Sequence, residues 1–423
     1  MLRFAARIGA FAAVFFAFFA FRLPCPVQAA RSNPRIGIDI DARLVTPELV
    51  AYISEFGFGY LRMKVFAEDI LDSGHENADA LVSVSRQCEA SGMKLWLVLD
   101  SRTLKADTVR RACELIAGLP GGAPWAVQLL NDVNYRIGLP TDRYASLIRV
   151  ADIALDLPEG HYLLLGGIKS CDLKYLEMLK SAGALDRVDA VTLNLFPPQD
   201  GIEYPTKVKI RPSSDIASAI AFAKTAAGMG KETWVGELGI ANSITGYGVD
   251  AYTQAGLLPR AALILISQGI SKVTMFTALD PPLAAAEGGG SLMYFGMIPA
   301  DLHPRPWGWA MRNLNMLVGD MYPSWYGGAI TWAPSFPAAG DAVFHVFYEN
   351  ERYLAVVFWT TEVSAVDRRT GLMIYEPGFR GVQCQNLLEV EPRSAKSNAA
   401  KNVVLIPDMP LSSVPTVLML EKP

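Results

Sequence analysis

The sequence predicts a β/α barrel followed by a smaller antiparallel β domain, and three observations support this prediction. Short apolar runs alternate with amphipathic stretches between residues 36 and 317. The apolar runs are continuous, which is typical of parallel strands that are buried on both faces. Beyond Trp325 the helical pattern ends, and strand-like segments separated by turn residues follow.

The first region contains eight strand–helix units. The predicted strands comprise residues 36–40, 60–65, 94–99, 126–130, 162–165, 190–195, 233–236 and 272–276. The predicted helices comprise residues 47–56, 77–91, 108–117, 142–155, 173–181, 214–227, 252–267 and 307–317. Eight such units over about 250 residues usually close into a barrel. A doubly wound open sheet is the alternative, but no Gly-x-Gly-x-x-Gly motif follows the first strand.

The second region is predicted to be all-β because its segments have strand character and no helical period. The strand-like segments comprise residues 343–348, 353–359 and 416–420. The polar stretch 393–401 is predicted to be a loop. The expected domains are a barrel over residues 33–320 and a β-sandwich-like domain over residues 321–423.

Residues 1–30 have the features of a secretory signal peptide. Arg3 and Arg7 form a basic region, residues 8–21 an apolar run, and residues 27–29 (Val-Gln-Ala) a small-residue cleavage pattern. The apolar run is shorter than the roughly 20 residues of a membrane-spanning helix, and an uncleaved anchor is the alternative. We therefore expect a bacterial protein of the periplasm or the cell exterior, with no membrane span after cleavage.

Charge and histidine content argue against several function classes. The net charge of −4 gives no reason to expect nucleic acid as a partner. The chain has four histidines, and none of them ends a predicted barrel strand. This argues against a histidine-rich metal hydrolase and against a Ser-His-Asp triad. We expect neither a metal nor a cofactor.

The cysteines of the mature chain do not form a recognisable metal or disulfide pattern. Cys88, Cys113, Cys171 and Cys384 are too scattered for a zinc site or a disulfide scaffold. Cys88 and Cys113 fall on successive predicted helices, so a single bridge would be compatible with export. Buried free thiols are the alternative, and the sequence leaves both open.

The ends of the predicted strands carry the candidate chemistry, because barrel active sites lie at the carboxyl ends of the strands. Carboxylates, amides and basic groups dominate there: Asp39, Asp41, Arg62, Lys64, Asp100, Arg102, Asn131, Asp132, Lys169, Asn194, Glu237 and Asp280. Two carboxylates suffice to hydrolyse a glycosidic bond, since one protonates the leaving oxygen and the other attacks the sugar or activates water.

Asp132 and Glu237 are the best candidates for such a pair. They lie 105 positions apart, which corresponds to three strand–helix units of roughly 31 to 35 residues each. The two residues therefore follow the fourth and seventh strands and are expected to face each other across the barrel mouth.

The order of these features resembles the clan of retaining glycoside hydrolases built on the eightfold barrel. The similarity is greatest to the family of β-xylosidases, α-L-iduronidase and bacterial exopolysaccharide endoglycosidases. In that clan the fourth strand ends in Asn-Glu and the seventh in a nucleophilic Glu, and this chain has Asn131-Asp132 and Glu237. An arginine on the clan's second strand matches Arg62. The similarity also includes Tyr294-Phe295-Gly296-Met297, Arg305-Pro306-Trp307 and the strand at 354–359, and so covers nearly the whole mature chain.

The resemblance implies a retaining glycosidase with Glu237 as nucleophile and Asp132 as acid/base. Asp132 departs from the clan, because aspartate is one methylene shorter than the usual glutamate. This departure motivates two alternatives: a carbohydrate-binding relative without catalysis, and a scaffold subunit of a polysaccharide export machine. A carbohydrate is the expected partner of both the glycosidase and the non-catalytic binding relative. The oligomeric state is left open.

Seven further side chains are expected to contribute to the site. Asn131 is expected to donate to a sugar hydroxyl, and Arg62 to orient Glu237 and keep it ionised. A backbone-bound turn amide and a purely structural ion pair are the respective alternatives. The remaining candidates are Phe196, Phe276 and Tyr294 for stacking on sugar rings, Asn194 as a further substrate-binding residue, and Asp280 for a hydroxyl. Trp96, Trp125 and Trp234 lie within strands and are more typical of a core.

Overall fold

The computed structural model describes most of the mature chain. The described residues are 32–72, 76–199, 202–203, 214–242, 248–280, 294–299, 303–326, 330–332, 343–361, 368–375, 378–394, 398–400 and 403–423. The predicted signal peptide of residues 1–30 lies outside them.

Nine parallel strands form a closed barrel. They are β1 (Asn33–Asp41), β2 (Phe58–Phe66), β3 (Lys94–Asp100), β4 (Ala126–Leu129), β5 (Tyr162–Leu165), β6 (Ile168–Lys169), β7 (Ala190–Leu195), β8 (Glu232–Leu238) and β9 (Lys272–Met275). Their order is β5-β4-β3-β2-β1-β9-β8-β7-β6, and β5 also pairs with β7 through Leu164 and Ala190. Because β5 and β6 both pair with β7, they share one of eight strand positions. The predicted eightfold barrel is confirmed.

Helices cover the outside of the barrel. They are α1 (Pro47–Ser54), α2 (Ala67–Asp72), α3 (Glu76–Ala90), α4 (Ala106–Ala117), α5 (Thr141–Leu155), α6 (Leu173–Ser181), α7 (Ile216–Gly228), α8 (Ala251–Ser267) and α9 (Pro306–Val318). Thr46 caps α1, and its hydroxyl oxygen accepts a hydrogen bond from the Leu49 N–H at 3.2 Å. Helix α2 was not predicted, because six residues are too few for a clear helical period.

Aromatic rings fill the barrel interior at the amino ends of the strands. Tyr60, Trp96 and Trp234 are each 1% exposed or less and form one cluster with the half-buried Trp125. The Trp125 and Trp234 rings stack at 5.2 Å between centroids. The three tryptophans are therefore core residues. Polar side chains line the barrel interior only nearer the mouth.

The C-terminal region forms two antiparallel sheets, as the predicted β domain requires. The first contains β10 (Tyr322–Ser324), β12 (Val343–Glu349), β13 (Tyr353–Thr360), β18 (Thr416–Glu421) and β15 (Arg380–Asn386). The second contains β11 (Ile330–Trp332), β14 (Arg368–Ile374), β17 (Val403–Leu411) and β16 (Asn398–Ala400). The prediction of a loop over residues 393–401 is wrong, since Arg393 bridges to Cys384 and β16 lies within it. Backbone pairing overrides the polar composition there.

A buried ion pair of the barrel binds the β domain through a tryptophan. Arg260 of α8 pairs with Glu203, and their side chains are 3% and 4% exposed. The indole N–H of Trp359 in β13 donates to the same Glu203 carboxylate at 3.0 Å. The Tyr348 hydroxyl of β12 donates to the backbone oxygen of Leu263 in α8 at 3.1 Å. The two regions thus share polar contacts that are shielded from water.

The cysteines follow the second of the two expectations. Cys88, Cys113 and Cys171 are buried free thiols, and Cys384 is also buried. Burial raises the pKa of both the Cys88 and the Cys113 thiol to about 12. Among the described residues, no helix has both the length and the apolar character needed to cross a membrane.

Candidate active site

A bulge in β8 brings Glu237 into the barrel. Leu193 of β7 pairs with Val235 and Asn194 pairs with Glu237, so Gly236 is an extra residue without a partner. Trp234 belongs to the interior cluster, and regular alternation would point Gly236 inward and Glu237 outward. The extra residue reverses this phase, as a β-bulge does. The structure also extends β8 beyond the predicted 233–236, so Glu237 lies inside the strand.

One oxygen of Glu237 is held and the other is not. Its Oε1 accepts hydrogen bonds from Nη1 of Arg62 at 3.1 Å and from Nδ2 of Asn131 at 3.0 Å. Its Oε2 accepts none from the residues that the structure describes. The Glu237 side chain is 11% exposed, so it is largely shielded from solvent but can still be reached from the mouth of the barrel. Such a carboxylate is positioned rather than solvated.

Arg62 binds a second carboxylate, Asp39, which the prediction left out of the site. Nη1 of Arg62 lies 2.5 Å from Oδ1 of Asp39, and the guanidinium is 1% exposed. Burial raises the pKa of Asp39 from an ordinary 3.8 to about 6; the charge of Arg62 opposes this shift and that of Glu237 adds to it. Asp39 and Glu237 therefore share one buried cation, and Asp39 can gain a proton near neutral pH.

The end of β4 carries Asn131, and its amide is fixed from several sides. Leu130 has a left-handed backbone with φ of 65°, which interrupts the alternation so that Asn131 faces the interior. The Asn131 Oδ1 accepts from Arg62 Nη2 at 3.0 Å, Gln128 Nε2 at 3.1 Å and Asn194 Nδ2 at 3.1 Å. Asn131 is thus a bridge between side chains rather than a turn amide bound to its own backbone.

Asp132 follows directly and also has a left-handed backbone, with φ of 50°. It precedes the 3₁₀ turn Val133–Tyr135, but its side chain makes no capping hydrogen bond there. Instead its Oδ1 accepts from Nδ2 of Asn194 at 2.8 Å. Asn194 thus links Asp132 to Asn131, which binds Glu237. Non-glycine residues in this backbone region cluster at functional sites.

Glycine is required beside the Asn131–Asn194 pair. A β-carbon at Gly167, between β5 and β6, would lie 2.6 Å from Oδ1 of Asn131 and 2.7 Å from Nδ2 of Asn194. The Oδ1 atom of Asn194 is buried and has no hydrogen-bond partner among the described residues. An unsatisfied buried acceptor is costly unless a ligand or water satisfies it. It is the kind of group that a sugar hydroxyl could satisfy.

Three phenylalanines form an apolar cluster at the carboxyl ends of β7 and β9. The ring centroids of Phe196, Phe276 and Phe295 are 5.5 to 5.6 Å apart, and all three contacts are edge-to-face. The first two were predicted, whereas Phe295 was not, because its loop gives no periodic signal. Tyr294 is 40% exposed beside this cluster. Half-buried rings at a barrel mouth are suitable for contact with a sugar face.

Asp280 lies outside this network. Its Oδ2 pairs with Nη2 of Arg305 at 2.5 Å, and its Oδ1 accepts from the Gly296 N–H at 2.7 Å. The Arg305 Nη1 also donates to Oδ1 at 3.1 Å. These contacts tie the chain after β9 to the start of α9. The structure thus brings together Glu237, Asp132, Asn131, Arg62 and Asn194, with Phe196 and Phe276 at the mouth, but not Asp280. Within the described part of the chain, no group of three potential metal-ligating side chains occurs.

No protein-family model matches the sequence, and no curated protein matches it. Solved structures, however, share the fold over nearly the whole chain. One is a family 39 glycoside hydrolase from Bacteroides cellulosilyticus WH2, with 14% identity, coverage of 93% of this chain and 82% of that chain, and a TM-score of 0.64.

Two further structures show the same likeness. A monomeric beta-xylosidase from Caulobacter crescentus CB15 has 13% identity, covers 93% of this chain and 97% of that chain, and has a TM-score of 0.58. A GH30 endoxylanase from Clostridium papyrosolvens C71 has 10% identity, covers 94% and 98%, and also has a TM-score of 0.58. The chain therefore has the fold of the (β/α)8 glycoside hydrolases with an added β domain, as the resemblance in its sequence implied.

Proposed function

We propose that this protein hydrolyses O-glycosidic bonds of a polysaccharide or oligosaccharide with two carboxylates. The observation that carries the proposal is the state of Glu237. One of its oxygens is held by Arg62 and Asn131, while the other accepts no hydrogen bond from the described residues. A nucleophile needs this combination of fixed orientation and an unengaged attacking atom. The shared fold with glycoside hydrolases supports the proposal as an analogy.

In the proposed mechanism, Oε2 of Glu237 attacks the anomeric carbon of the bound sugar. Asp132 donates its proton to the glycosidic oxygen, and the bond between that oxygen and the anomeric carbon breaks. Asp132 then takes a proton from water, which attacks the glycosyl–Glu237 ester and releases the sugar with retained configuration. Neither step requires a metal or a redox cofactor.

The link between the two carboxylates supports these roles. Asn194 donates to Asp132 at 2.8 Å and to Asn131 at 3.1 Å, and Asn131 donates to Glu237 at 3.0 Å. The whole chain of contacts spans two amide side chains. The two carboxylates are thus connected through Asn194 and Asn131, which supports their placement at one cleft.

The test is hydrolysis of a panel of polysaccharides by wild type, Glu237→Gln and Asp132→Asn. We expect loss of activity by about 10³-fold or more for Glu237→Gln. An activated fluorosugar should form a covalent adduct with wild type and none with Glu237→Gln. Adduct formation with both proteins would contradict the role of Glu237.

A second candidate function is carbohydrate binding without hydrolysis, which the short acid at Asp132 favours. Its carboxyl group reaches less far than that of a glutamate, and a retaining enzyme needs the two carboxyl groups about 5–5.5 Å apart. Asp132→Glu distinguishes the two candidates. If wild type binds glycans but does not cleave them while Asp132→Glu cleaves, the binding function is correct.

Export to the periplasm or cell exterior belongs to the proposal as well. It rests on the basic and apolar segments of residues 1–30. Cell fractionation and N-terminal sequencing of the mature protein would test it, with cleavage expected after Ala29 or Ala30.

A further inference from the structure

Two lysines at the barrel mouth differ from the arginines around them. Each of these arginines binds a carboxylate: Arg43 with Asp41, Arg62 with Asp39 and Glu237, Arg102 with Asp69, Arg136 with Asp100, and Arg305 with Asp280. Lys64 and Lys169, in contrast, form no ion pair with any residue that the structure describes. Carboxylates thus contact the arginines directly, whereas Lys64 acts on the carboxylates of Asp39 and Asp41 without contacting them.

Lys64 lies at the mouth on the β2 side of the barrel. It follows Arg62 by two residues on β2 and therefore faces the same interior side, about 7 Å nearer the opening. Its partner in register is Asp41, whose carboxylate is already bound by the Arg43 guanidinium. The Lys64 Nζ lies 5.8 Å from the centroid of the Phe66 ring, and the side chain is exposed. The ammonium group is therefore available above the Arg62–Glu237 pair.

Lys169 lies on the Asp132 side. It pairs in register with Asn194, the residue that donates to Asp132. Its Nζ lies 5.3 Å from the centroid of the Tyr135 ring, which is 56% exposed in the turn after Asp132. This contact directs the exposed ammonium toward the rim next to the proposed acid/base.

We infer that the cleft takes an acidic glycan, with anionic groups on its sugars bound by Lys64 on one side of the scissile bond and Lys169 on the other. The inference rests on the proposed function for the position of that bond. Ammonium groups bind carboxylate or sulfate oxygens through charge-assisted hydrogen bonds. A neutral glycan would offer neither lysine an anionic partner. Carboxylate and sulfate share this chemistry, and the experiment separates them.

The experiment measures binding of the full mature chain to matched pairs of polymers by affinity electrophoresis. Alginate, polygalacturonate and hyaluronan are each compared with their carboxyl-reduced forms, and dextran sulfate with dextran. Wild type is compared with Lys64→Gln, Lys169→Gln and the control Lys224→Gln. Lys224 is an exposed lysine on α7, away from the mouth.

We expect wild type to bind the anionic member of at least one pair about tenfold or more tightly than the neutral one. Each mouth variant should lose about tenfold or more of that affinity, as expected for the loss of a hydrogen bond to a charged group. Lys224→Gln should lose none. The preference should shrink in 0.5 M salt, where the Debye length is only a few ångströms. Preference for dextran sulfate alone would identify the anionic group as a sulfate.

Equal binding of anionic and neutral members, or no binding to any of them, would overturn the inference. So would equal losses in Lys64→Gln, Lys169→Gln and Lys224→Gln. Glu237→Gln separates this result from the proposed function, because it should bind the anionic polymer as wild type does without cleaving it. A protein that binds the acidic polymer but never cleaves it would retain the inference and lose the hydrolase proposal.

Discussion

A β-carbon at Gly236 would lie 3.0 Å from Oδ1 of Asn194 and 3.4 Å from Nε of Arg62. The bulge that turns Glu237 inward therefore depends on glycine. In Gly236→Ala we expect Asn194 and Arg62 to shift by a few tenths of an ångström and Glu237 to lose its alignment. Small misplacements of reacting groups are costly, so kcat should fall by about tenfold to 100-fold. Steady-state kinetics on the best substrate of the panel would measure it.

Gly228→Ala is the matched control for this substitution. Gly228 is the last residue of α7, and a β-carbon there would meet no atom within 4 Å. Alanine also favours helix over glycine by up to about 1 kcal/mol, so stability should hold or rise slightly. Unchanged kcat in Gly236→Ala, or an equal loss in both variants, would contradict the role given to the bulge.

The pair of Asp39 and Glu237 on one arginine predicts a specific pH dependence of stability. The folded-state pKa of Asp39 is raised to about 6 from 3.8. The stabilisation from proton uptake is therefore fully present below about pH 4 and is lost as the pH rises through 6. In Asp39→Asn this dependence should vanish, and the difference between the two proteins should change by about 2 kcal/mol between pH 4 and pH 7.5. Urea unfolding across that range would measure it.

The same titration should affect activity. When Asp39 takes up a proton, the charge of Arg62 acts on the Glu237 carboxylate alone and holds it more strongly. We therefore expect kcat of wild type to fall below about pH 6. Asp39→Asn mimics the protonated form and should have a lower kcat at pH 7.5, with no decline between pH 7 and pH 5.5 that is due to this group. If Asp39→Asn shows the same decline of kcat at low pH as wild type, that decline is due to another residue.

The fold was predictable because both faces of each barrel strand are buried. The continuous apolar runs at 162–165 and 190–195 match β5 and β7 residue for residue. Boundaries were less accurate where polar residues lie inside a strand, as in β8 with Glu237. Hydrophobic periodicity places the end of a strand too early when the last residues of the strand include a polar functional side chain. The prediction for 393–401 was wrong for a related reason, since composition does not reveal backbone pairing.

The site was predictable only in part. Strand order and spacing pointed to Glu237 and Asp132. They did not point to the two backbone irregularities, at Gly236 and Leu130, that turn the site residues inward. An isolated glycine within a strand, as at Gly236, is a weak signal of a bulge. The left-handed backbone of Leu130 has no such signal in its residue type. Asp39 was noted among the polar strand ends but given no role in the site, because that role depends on the reach of Arg62 across three strands.

The buried thiols give a test of the fold that is independent of any substrate. Cys88 and Cys113 are 1% and 0% exposed, and burial raises the pKa of each thiol to about 12. Both the access and the thiolate form that alkylation requires are therefore absent in the folded protein. We expect no iodoacetamide labelling of either residue at pH 8 under native conditions and full labelling in 6 M guanidinium. A disulfide between them would instead prevent labelling in both conditions.

The Arg260–Glu203 pair predicts how the β domain is held. Both side chains are buried, and Glu203 also accepts from Trp359. Arg260→Leu would leave a buried carboxylate whose remaining partner among the described residues is the indole N–H, which costs about 3–5 kcal/mol. Adding Glu203→Gln removes the uncompensated charge and should restore much of that loss. Arg352→Leu is the control, because Arg352 is 69% exposed in its pair with Glu421 and should change stability by less than about 1 kcal/mol. Urea unfolding of the four proteins measures these differences. Equal losses for Arg260→Leu and Arg352→Leu would show that the buried pair does not anchor the β domain to the barrel.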